Sequence, residues 1–251
     1  MYTTVLLSED RSLVAPAQGV TGRAWPEFMK QDQLTIAHWR LFYDEFLDYQ
    51  YVLIDPHSDA IAAVANCAPL DWDGGISELP DGGIDWFLTA LAEFAGKPDR
   101  VPRTLFAYQI VVAPDFMGRA ISTEAVKAMV DIGRRRGCRA LYAPVRPSLK
   151  HRYPLIPIER YIRWTDGRGL PFDPWMRVHA RLGADIVRVC PKSMRMEGTV
   201  ADWERWTNMR FPETGEYVVP DALVPVKIDR EADAGVYIEP NVWMRHWIEA
   251  K

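Results

Sequence analysis

The first half of the chain alternates between apolar runs that predict strands and apolar stripes that predict helices. Residues 49–54 and 60–68 are two apolar runs joined by the polar segment Asp-Pro-His-Ser-Asp, which is a pattern typical of a β-hairpin. Residues 104–112 (TLFAYQIVV) carry the β-branched and aromatic residues that strands favour, and residues 139–145 form the next candidate strand. A shorter strand is predicted over residues 2–7.

Helices are predicted where apolar side chains recur every three or four residues and therefore line one face. The strongest of these segments are residues 36–47, 84–94 and 121–136, and a shorter helix is expected over residues 25–30. A further helix starts at Asp173, because Asp is a favourable N-cap and the Pro that follows suits the first helical position. We expect the helix over residues 121–136 to pack on the sheet with its N-terminus open.

The C-terminal part of the chain divides into shorter segments. The pattern predicts a strand over residues 185–189, a helix over 199–206, and strands over 216–219, 223–228 and 235–238. Residues 147–172 precede them and form a Pro-rich and aromatic segment that is longer than an ordinary connection. We interpret this segment either as a lid beside a site or as a surface excursion that packs its aromatic side chains on the core.

Composition and charge exclude several classes of partner. The 251 residues, 48% of them hydrophobic, are enough for one enlarged domain with a full core. Thirty basic and 34 acidic residues give a net charge of -4, which argues against a nucleic-acid partner. The three cysteines, Cys67, Cys138 and Cys190, are isolated, so we expect no disulfide framework, no metal site and a reducing cytoplasm. With no apolar stretch of about 18 residues, no membrane partner is expected.

The most informative segment is residues 110–122, IVVAPDFMGRAIS. A strand runs into Pro114, turns around Gly118, and continues as a helix. Backbone N–H groups at a helix N-terminus, together with the helix dipole, favour an anionic phosphate. Gly118 and the small residues Ala120 and Ser122 let a ligand approach the backbone, provided that φ stays negative wherever a side chain replaces glycine.

This segment resembles the pyrophosphate-binding motif of the GNAT N-acetyltransferase superfamily, V-x-P-x-x-R-G-x-G-x-G/A. Val112 and Pro114 match the motif, Gly118 matches its first glycine, and Ala120 and Ser122 stand at the other two. The order of predicted helices and strands also follows that of the superfamily. The resemblance implies a mixed α/β fold in which two parallel strands, 104–112 and 139–145, splay apart around a pantetheine arm. The donor-binding residues that it implies are Ile110, Val111, Val112, Met117, Gly118, Arg119, Ala120, Ile121 and Ser122.

The same resemblance implies a domain organisation and a class of reaction. Residues 1–195 would form the GNAT-like domain, with 147–172 as a lid-like insertion, and residues 196–251 would form an extension packed on the same unit. The reaction would be direct transfer of an acyl group from acyl-coenzyme A to the amine of a small molecule, with no tightly bound cofactor. Two alternatives remain open: an acyl carrier protein as the donor, and a non-catalytic sensor of acyl thioesters. A homodimer is also left open.

Direct acyl transfer requires a donor for the oxyanion, an acid for the thiolate and a base for the amine. The oxyanion donor is expected to be the backbone N–H of Val111 or Val112. Aligning Leu182-Gly183 with the superfamily pattern puts His179 where a tyrosine acid is usual, and His179 would act as an imidazolium or through a neutral N–H. The alternative is a core histidine whose N–H satisfies a carbonyl.

The remaining candidates for chemistry and for acceptor binding are less specific. Tyr142 and Tyr108 are the nearest replacement acids. The strand over 104–112 has no carboxylate, and the nearby acidic residues Glu78, Asp81 and Asp85 are more simply explained as turn residues than as a base. Candidates to line an aromatic acceptor pocket are Trp25, Tyr161 and Trp164.

Overall fold

Nine strands form one sheet in the computed structural model, which describes residues 2–73 and 75–248. The strands are β1 (Thr3–Leu6), β2 (Tyr51–Ile54), β3 (Ile61–Leu70), β4 (Thr104–Val112), β5 (Ala140–Val145), β6 (Asp185–Gly198), β7 (Gly215–Tyr217), β8 (Val226–Asp229) and β9 (Ala234–Trp247). Their order is β1-β2-β3-β4-β5-β9-β8-β7, and β6 pairs with β9. β4 and β5 are parallel and the other pairs are antiparallel, which confirms the predicted α/β fold with a mixed sheet.

Helices cover this sheet. The described residues include α1 (Val14–Gly22), α2 (Gln33–His38), α3 (Leu41–Asp44), α4 (Gly83–Ala95), α5 (Ile121–Arg135), α6 (Ile158–Tyr161), α7 (Pro174–Arg181) and α8 (Val200–Thr207). α4 buries Ile84, Phe87 and Leu91, which share one face at helical spacing, and Phe87 stacks on Phe106 of β4 with ring centroids 5.5 Å apart. Each such side chain contributes about 2 kcal/mol through burial.

β4 and β5 stay together over only part of their length. Their parallel pairing runs from Thr104 opposite Ala140 to Phe106 opposite Tyr142. Just beyond it, β4 carries a bulge, because Asn66 of β3 pairs with Gln109 and Cys67 pairs with Ala107, which leaves Tyr108 without a partner. A bulge bends its strand. The C-terminal half of β4 therefore parts from β5, as the predicted splay requires.

Two strands are much longer than predicted. The expected strands over 185–189 and 235–238 are β6 and β9, each 14 residues long. β9 continues past the predicted end through Pro240, which lies where the β6–β9 register shifts, between the pairs Cys190–Asn241 and Met194–Glu239. Proline is tolerated at such an irregularity, since no regular ladder hydrogen bond is lost there. The boundary predicted after residue 195 falls inside β6, so the C-terminal residues continue the same sheet.

The helix predicted over residues 36–47 is broken in two. α2 begins earlier, because the side chain of Asp32 accepts a hydrogen bond from the N–H of Thr35 and caps the helix. Between α2 and α3 the backbone changes to tighter bonds, with Phe42 N–H donating to the carbonyl of Trp39. Residues 25–30 likewise form a 3-10 turn at Glu27–Gln31 in place of an α-helix. Apolar spacing does not distinguish these tighter turns from a continuous helix.

Candidate active-site cleft

A cleft of about 1200 Å³ opens where β4 and β5 separate. One wall is the free side of β4, with Tyr108, Ile110 and Val112, and α7 lies across from it. One part of the cleft is lined by Met117 of the turn before α5 and by Ser122 of the first turn of α5, and we call it the donor end because the sequence predicts donor binding there. The other part, which we call the acceptor end, is lined by Trp25, Thr35, Trp39, Arg146, Glu239 and Asn241.

The turn before α5 has the conformation that an anion site needs. Gly118 has φ 78° and Ala120 has φ 57°, so both lie in the left-handed region. α5 begins without a side-chain cap, and within the described part of the chain the N–H groups of residues 118–122 have no acceptor. These exposed donors lie at the positive end of a 15-residue helix. The condition that φ stay negative where a side chain replaces glycine is not met at Ala120, where a Cβ in the left-handed region costs about 1 kcal/mol.

The register of β3 and β4 separates the two predicted oxyanion donors. Ala113 N–H donates to the carbonyl of Ala62 at 2.9 Å, and the ladder continues with Val111 opposite Val64. Because bonding direction alternates along an antiparallel ladder, the N–H of Val111 points at β3, whereas the N–H of Val112 points at the cleft. Val112 and Ile110 are therefore the positions whose backbone groups are open to a bound donor.

His179 of α7 lies in the cleft wall, 98% buried, and pairs with a second histidine. Its Nδ1 is 2.9 Å from Nε2 of His246 on β9, and its own Nε2 has no partner among the described residues. Burial, followed by repulsion from His246, lowers the pKa of His179 to about 3. The predicted imidazolium is therefore excluded as the resting form, and the predicted carbonyl partner is replaced by His246.

His246 is the other half of this dyad. Burial lowers its pKa to about 4, and the nearby carboxylate of Asp185 opposes that shift. The sequence interpretation missed His246, since it is 67 residues from His179 and no motif contains it. The dyad consists of two neutral imidazoles at physiological pH, each able to donate one hydrogen bond and accept one.

The two tyrosines proposed as replacement acids lie in different surroundings. Tyr108 lines the cleft, its hydroxyl is 2.9 Å from the hydroxyl of Thr35, and burial raises its pKa. Tyr142 instead packs in the aromatic core, stacked on Phe106 and edge-on to Trp72, and it is not among the lining residues. Of these two hydroxyls, the structure brings that of Tyr108 to the cleft.

The acidic residues near the cleft differ from those that were predicted. Glu78 accepts a hydrogen bond from Gly75 N–H, and Asp81 pairs with Arg188 at the surface, so both side chains stabilise the turns in which they lie. Asp85 lies in the first turn of α4, where burial and then the Asp32 carboxylate raise its pKa to about 8, but it is not among the lining residues. Glu239 is fully buried in the cleft wall. The feature of the sequence that could have identified Glu239 is a single carboxylate inside an otherwise apolar run.

The aromatic residues proposed for the acceptor pocket are separated by the fold. Trp25 lines the cleft, and its indole N–H donates to the side chain of Gln109 at 2.8 Å. Tyr161 and Trp164 pack with each other, with Tyr153 and with Phe172 inside the segment 147–172, away from the lining.

That segment is tied to the rest of the fold at several points. The carboxylate of Asp173 accepts hydrogen bonds from Leu149 N–H and from the hydroxyl of Tyr161, both at 2.8 Å. The ammonium of Lys150 is buried and donates to the carbonyl of Leu223 at 2.7 Å. These contacts favour the packed excursion over a mobile lid.

Other kinds of site are not seen in the part of the chain that the structure describes. No helix in residues 2–73 and 75–248 has the length and hydropathy needed to cross a bilayer. Within the same residues, no group of His, Cys, Asp and Glu side chains is arranged to hold a metal ion. Cys67, Cys138 and Cys190 are buried and free.

Comparison with known proteins agrees with this geometry. An arginine N-acetyltransferase (avaD) of Aspergillus versicolor is 28% identical over 247 residues, covering 88% of this chain and 84% of that protein. The loading GNATL domain of CurA from Lyngbya majuscula has a similar fold, with a TM-score of 0.61 and 16% identity over 99% of this chain and 98% of its own.

A second solved structure, the GphF GNAT-like decarboxylase in complex with isobutyryl-CoA, has a TM-score of 0.55 at 16% identity, covering 99% of this chain and all of that one. At this identity the two solved structures support the fold alone. Residues 20–155 match the pattern of the acetyltransferase (GNAT) family, which is more than half of the chain. The predicted superfamily and the predicted acyltransferase class are thus confirmed, and this chain belongs to the acetyltransferase (GNAT) family.

Proposed function

We propose that this enzyme transfers an acyl group from acyl-coenzyme A directly to the primary amine of a small molecule. The observation that carries the proposal is the continuity of the cleft. It runs from Met117 and Ser122, which flank the free N–H groups before α5, along the open side of β4 to the acceptor end. An acyl-coenzyme A molecule bound at the N–H groups before α5 and along the open side of β4 would place its thioester next to an amine at the acceptor end.

The donor end fits a pantetheine thioester that carries a diphosphate. The N–H groups of residues 118–122 would hold the diphosphate, because they combine free donors with the positive end of α5. The backbone groups of Ile110 and Val112 face the gap left by β5 and would bind the pantetheine arm as a strand binds its neighbour. No side chain has to supply a charge for this contact.

Transfer then needs one bond to form and one to break. The neutral amine attacks the thioester carbonyl, whose oxygen becomes an oxyanion, and the backbone N–H of Val112 donates to that oxygen. Since β4 has no carboxylate, the ammonium form of the acceptor loses one proton to water before the attack. After the attack, the nitrogen gives its second proton to water, the tetrahedral intermediate collapses to the amide, and the expelled thiolate takes a proton from water.

His179 is proposed to assist departure of the thiolate as a neutral donor. If His246 donates from Nε2 to Nδ1 of His179, the proton of His179 lies on its unpartnered Nε2, at the cleft wall. An N–H there stabilises developing negative charge on sulfur. His246 is then a positioning residue, because it selects the tautomer of His179.

The test is release of free thiol when purified protein, acetyl-coenzyme A and a panel of amines are mixed. The panel starts with arginine, since the relative from Aspergillus versicolor is named as an arginine N-acetyltransferase. We expect thiol release that depends on the amine, with the acylated amine found by mass spectrometry. Tight binding of acetyl-coenzyme A without turnover of any amine would contradict the proposal and favour a sensor. Turnover with an acylated carrier protein, but not with acetyl-coenzyme A, would show that the donor is the carrier protein.

A further inference from the structure

Two buried oxygen atoms at the acceptor end have no hydrogen-bond partner among the residues that the structure describes. They belong to Glu239 and Asn241, which lie two residues apart on β9 and therefore project from the same face of the sheet. Both side chains line the cleft, and their exposed fractions are 0% and 2%. Both side chains are thus part of the cleft wall and largely shielded from solvent.

The hydrogen bonds that these side chains do make leave one acceptor free on each. Oε2 of Glu239 accepts from Nε of Arg146 at 2.9 Å and from the hydroxyl of Tyr237 at 3.0 Å, whereas Oε1 has no partner among the described residues. The amide of Asn241 donates to the carbonyl of Pro144 at 3.0 Å, and its Oδ1 is equally free within residues 2–73 and 75–248. Buried acceptors without donors are costly, so two together indicate a ligand rich in N–H groups.

The charges around this position favour a cation. Arg146 offsets the charge of Glu239, but its guanidinium is already engaged, since it also donates to the carbonyl of Asp221 at 2.6 Å. The buried carboxylate of Asp32 adds to the negative potential at Glu239. Burial raises the pKa of Glu239, and a cation beside its free oxygen would lower the cost of keeping it ionised.

We infer that Glu239 and Asn241 form a subsite for a positively charged group of the acceptor, a guanidinium or a second ammonium, separate from the amine that reacts. This inference rests on the proposed function, because it assigns the substrate class of the same cleft. A guanidinium suits two convergent oxygens well, since its donors are fixed in a plane and it keeps its charge when buried. Acceptors with a neutral tail would leave Arg146 to offset the charge of Glu239 without a second cation beside Oε1.

The test must separate charge from shape, because water or any N–H group can also bond to these oxygens. Arginine and citrulline serve this purpose, since citrulline keeps the length and planar N–H groups of arginine but is neutral. Two quantities are measured for each amino acid: kcat/KM with acetyl-coenzyme A, and the Kd by calorimetry with coenzyme A present. We expect wild-type protein to prefer arginine by about 30-fold or more in both.

The informative variant is Glu239→Gln. Its amide oxygen can still accept from Arg146, while its NH2 group replaces the free acceptor with a donor. We expect this variant to lower the affinity and the kcat/KM for arginine by about 30-fold, and those for citrulline by less than about threefold. The matched control is Glu197→Gln, which removes an exposed carboxylate from the neighbouring strand β6. We expect this control to leave the affinity and the kcat/KM for both amino acids unchanged.

Equal losses for both amino acids in Glu239→Gln, or a wild-type protein that does not distinguish them, would overturn the inference. The wild-type comparison needs no variant, so it decides even if Glu239→Gln does not fold. The binding arm separates the two proposals. Arginine bound in preference to citrulline, with no turnover of any amine in the panel, would refute the proposed function and leave the subsite standing. Turnover of arginine and citrulline without preference would support the proposed function and refute the subsite.

Discussion

The histidine dyad predicts how the stability of this protein responds to acid. The pKa values of His179 and His246 are lowered to about 3 and about 4, whereas an unfolded histidine titrates near 6.5. The unfolded chain therefore binds up to two more protons than the native one below pH 6.5. The stability from the neutral dyad is present above that pH and is lost as the pH falls.

The size of the effect follows from these values. Between about pH 7 and about pH 5, each histidine contributes about 1.9 kcal/mol of lost stability, so the dyad contributes about 4 kcal/mol. Asp85 acts in the opposite direction, because its raised pKa of about 8 makes the native state gain stability as the pH falls. The contribution of the dyad must therefore be taken from a difference between proteins that share Asp85.

The assay is urea unfolding of the wild type and of the double variant His179→Gln, His246→Gln at each pH. We expect the wild type to lose about 4 kcal/mol more than the double variant between about pH 7 and about pH 5. The control is His57→Gln, on the exposed turn between β2 and β3, which should track the wild type. A double variant with the same pH dependence as the wild type would refute the assigned burial and pairing.

Three further outcomes follow from the cleft. Ala120→Gly relieves the left-handed alanine, so we expect unfolding to cost up to about 1 kcal/mol more and the melting temperature to rise by about 2 °C; a lower melting temperature would contradict the strain. His179→Ala should lower kcat about 10-fold or more with little change in donor Kd, and an unchanged kcat would remove its role. Because the amine loses its proton to water, log kcat/KM should rise with slope about one up to the pKa of the amine, and a plateau far below that pKa would indicate a protein base.

Local sequence was sufficient to predict strand β4 and the turn before α5, and insufficient to predict the side-chain pairs that β9 makes in and beside the cleft. Strand β4 and the turn around Gly118 could be predicted because their signals, β-branched residues followed by proline and a small-residue turn, lie within about 20 consecutive residues. The His179–His246 and Arg146–Glu239 pairs join residues 67 and 93 positions apart, so they depend on the pairing of β9 with β5 and β6. Pro240 inside β9 adds to the difficulty, because proline within a strand is compatible with pairing only at an irregularity such as the register shift between Cys190 and Met194.

We propose that one acyl-coenzyme A molecule binds from the turn before α5 to the open side of β4. A crystal structure of the protein with acetyl-coenzyme A would show this binding mode. We expect diphosphate oxygens at about 3 Å from backbone nitrogens of residues 118–122, and the thioester oxygen at a similar distance from the nitrogen of Val112. A diphosphate bound elsewhere, or a thioester whose carbonyl faces away from Val112, would contradict it.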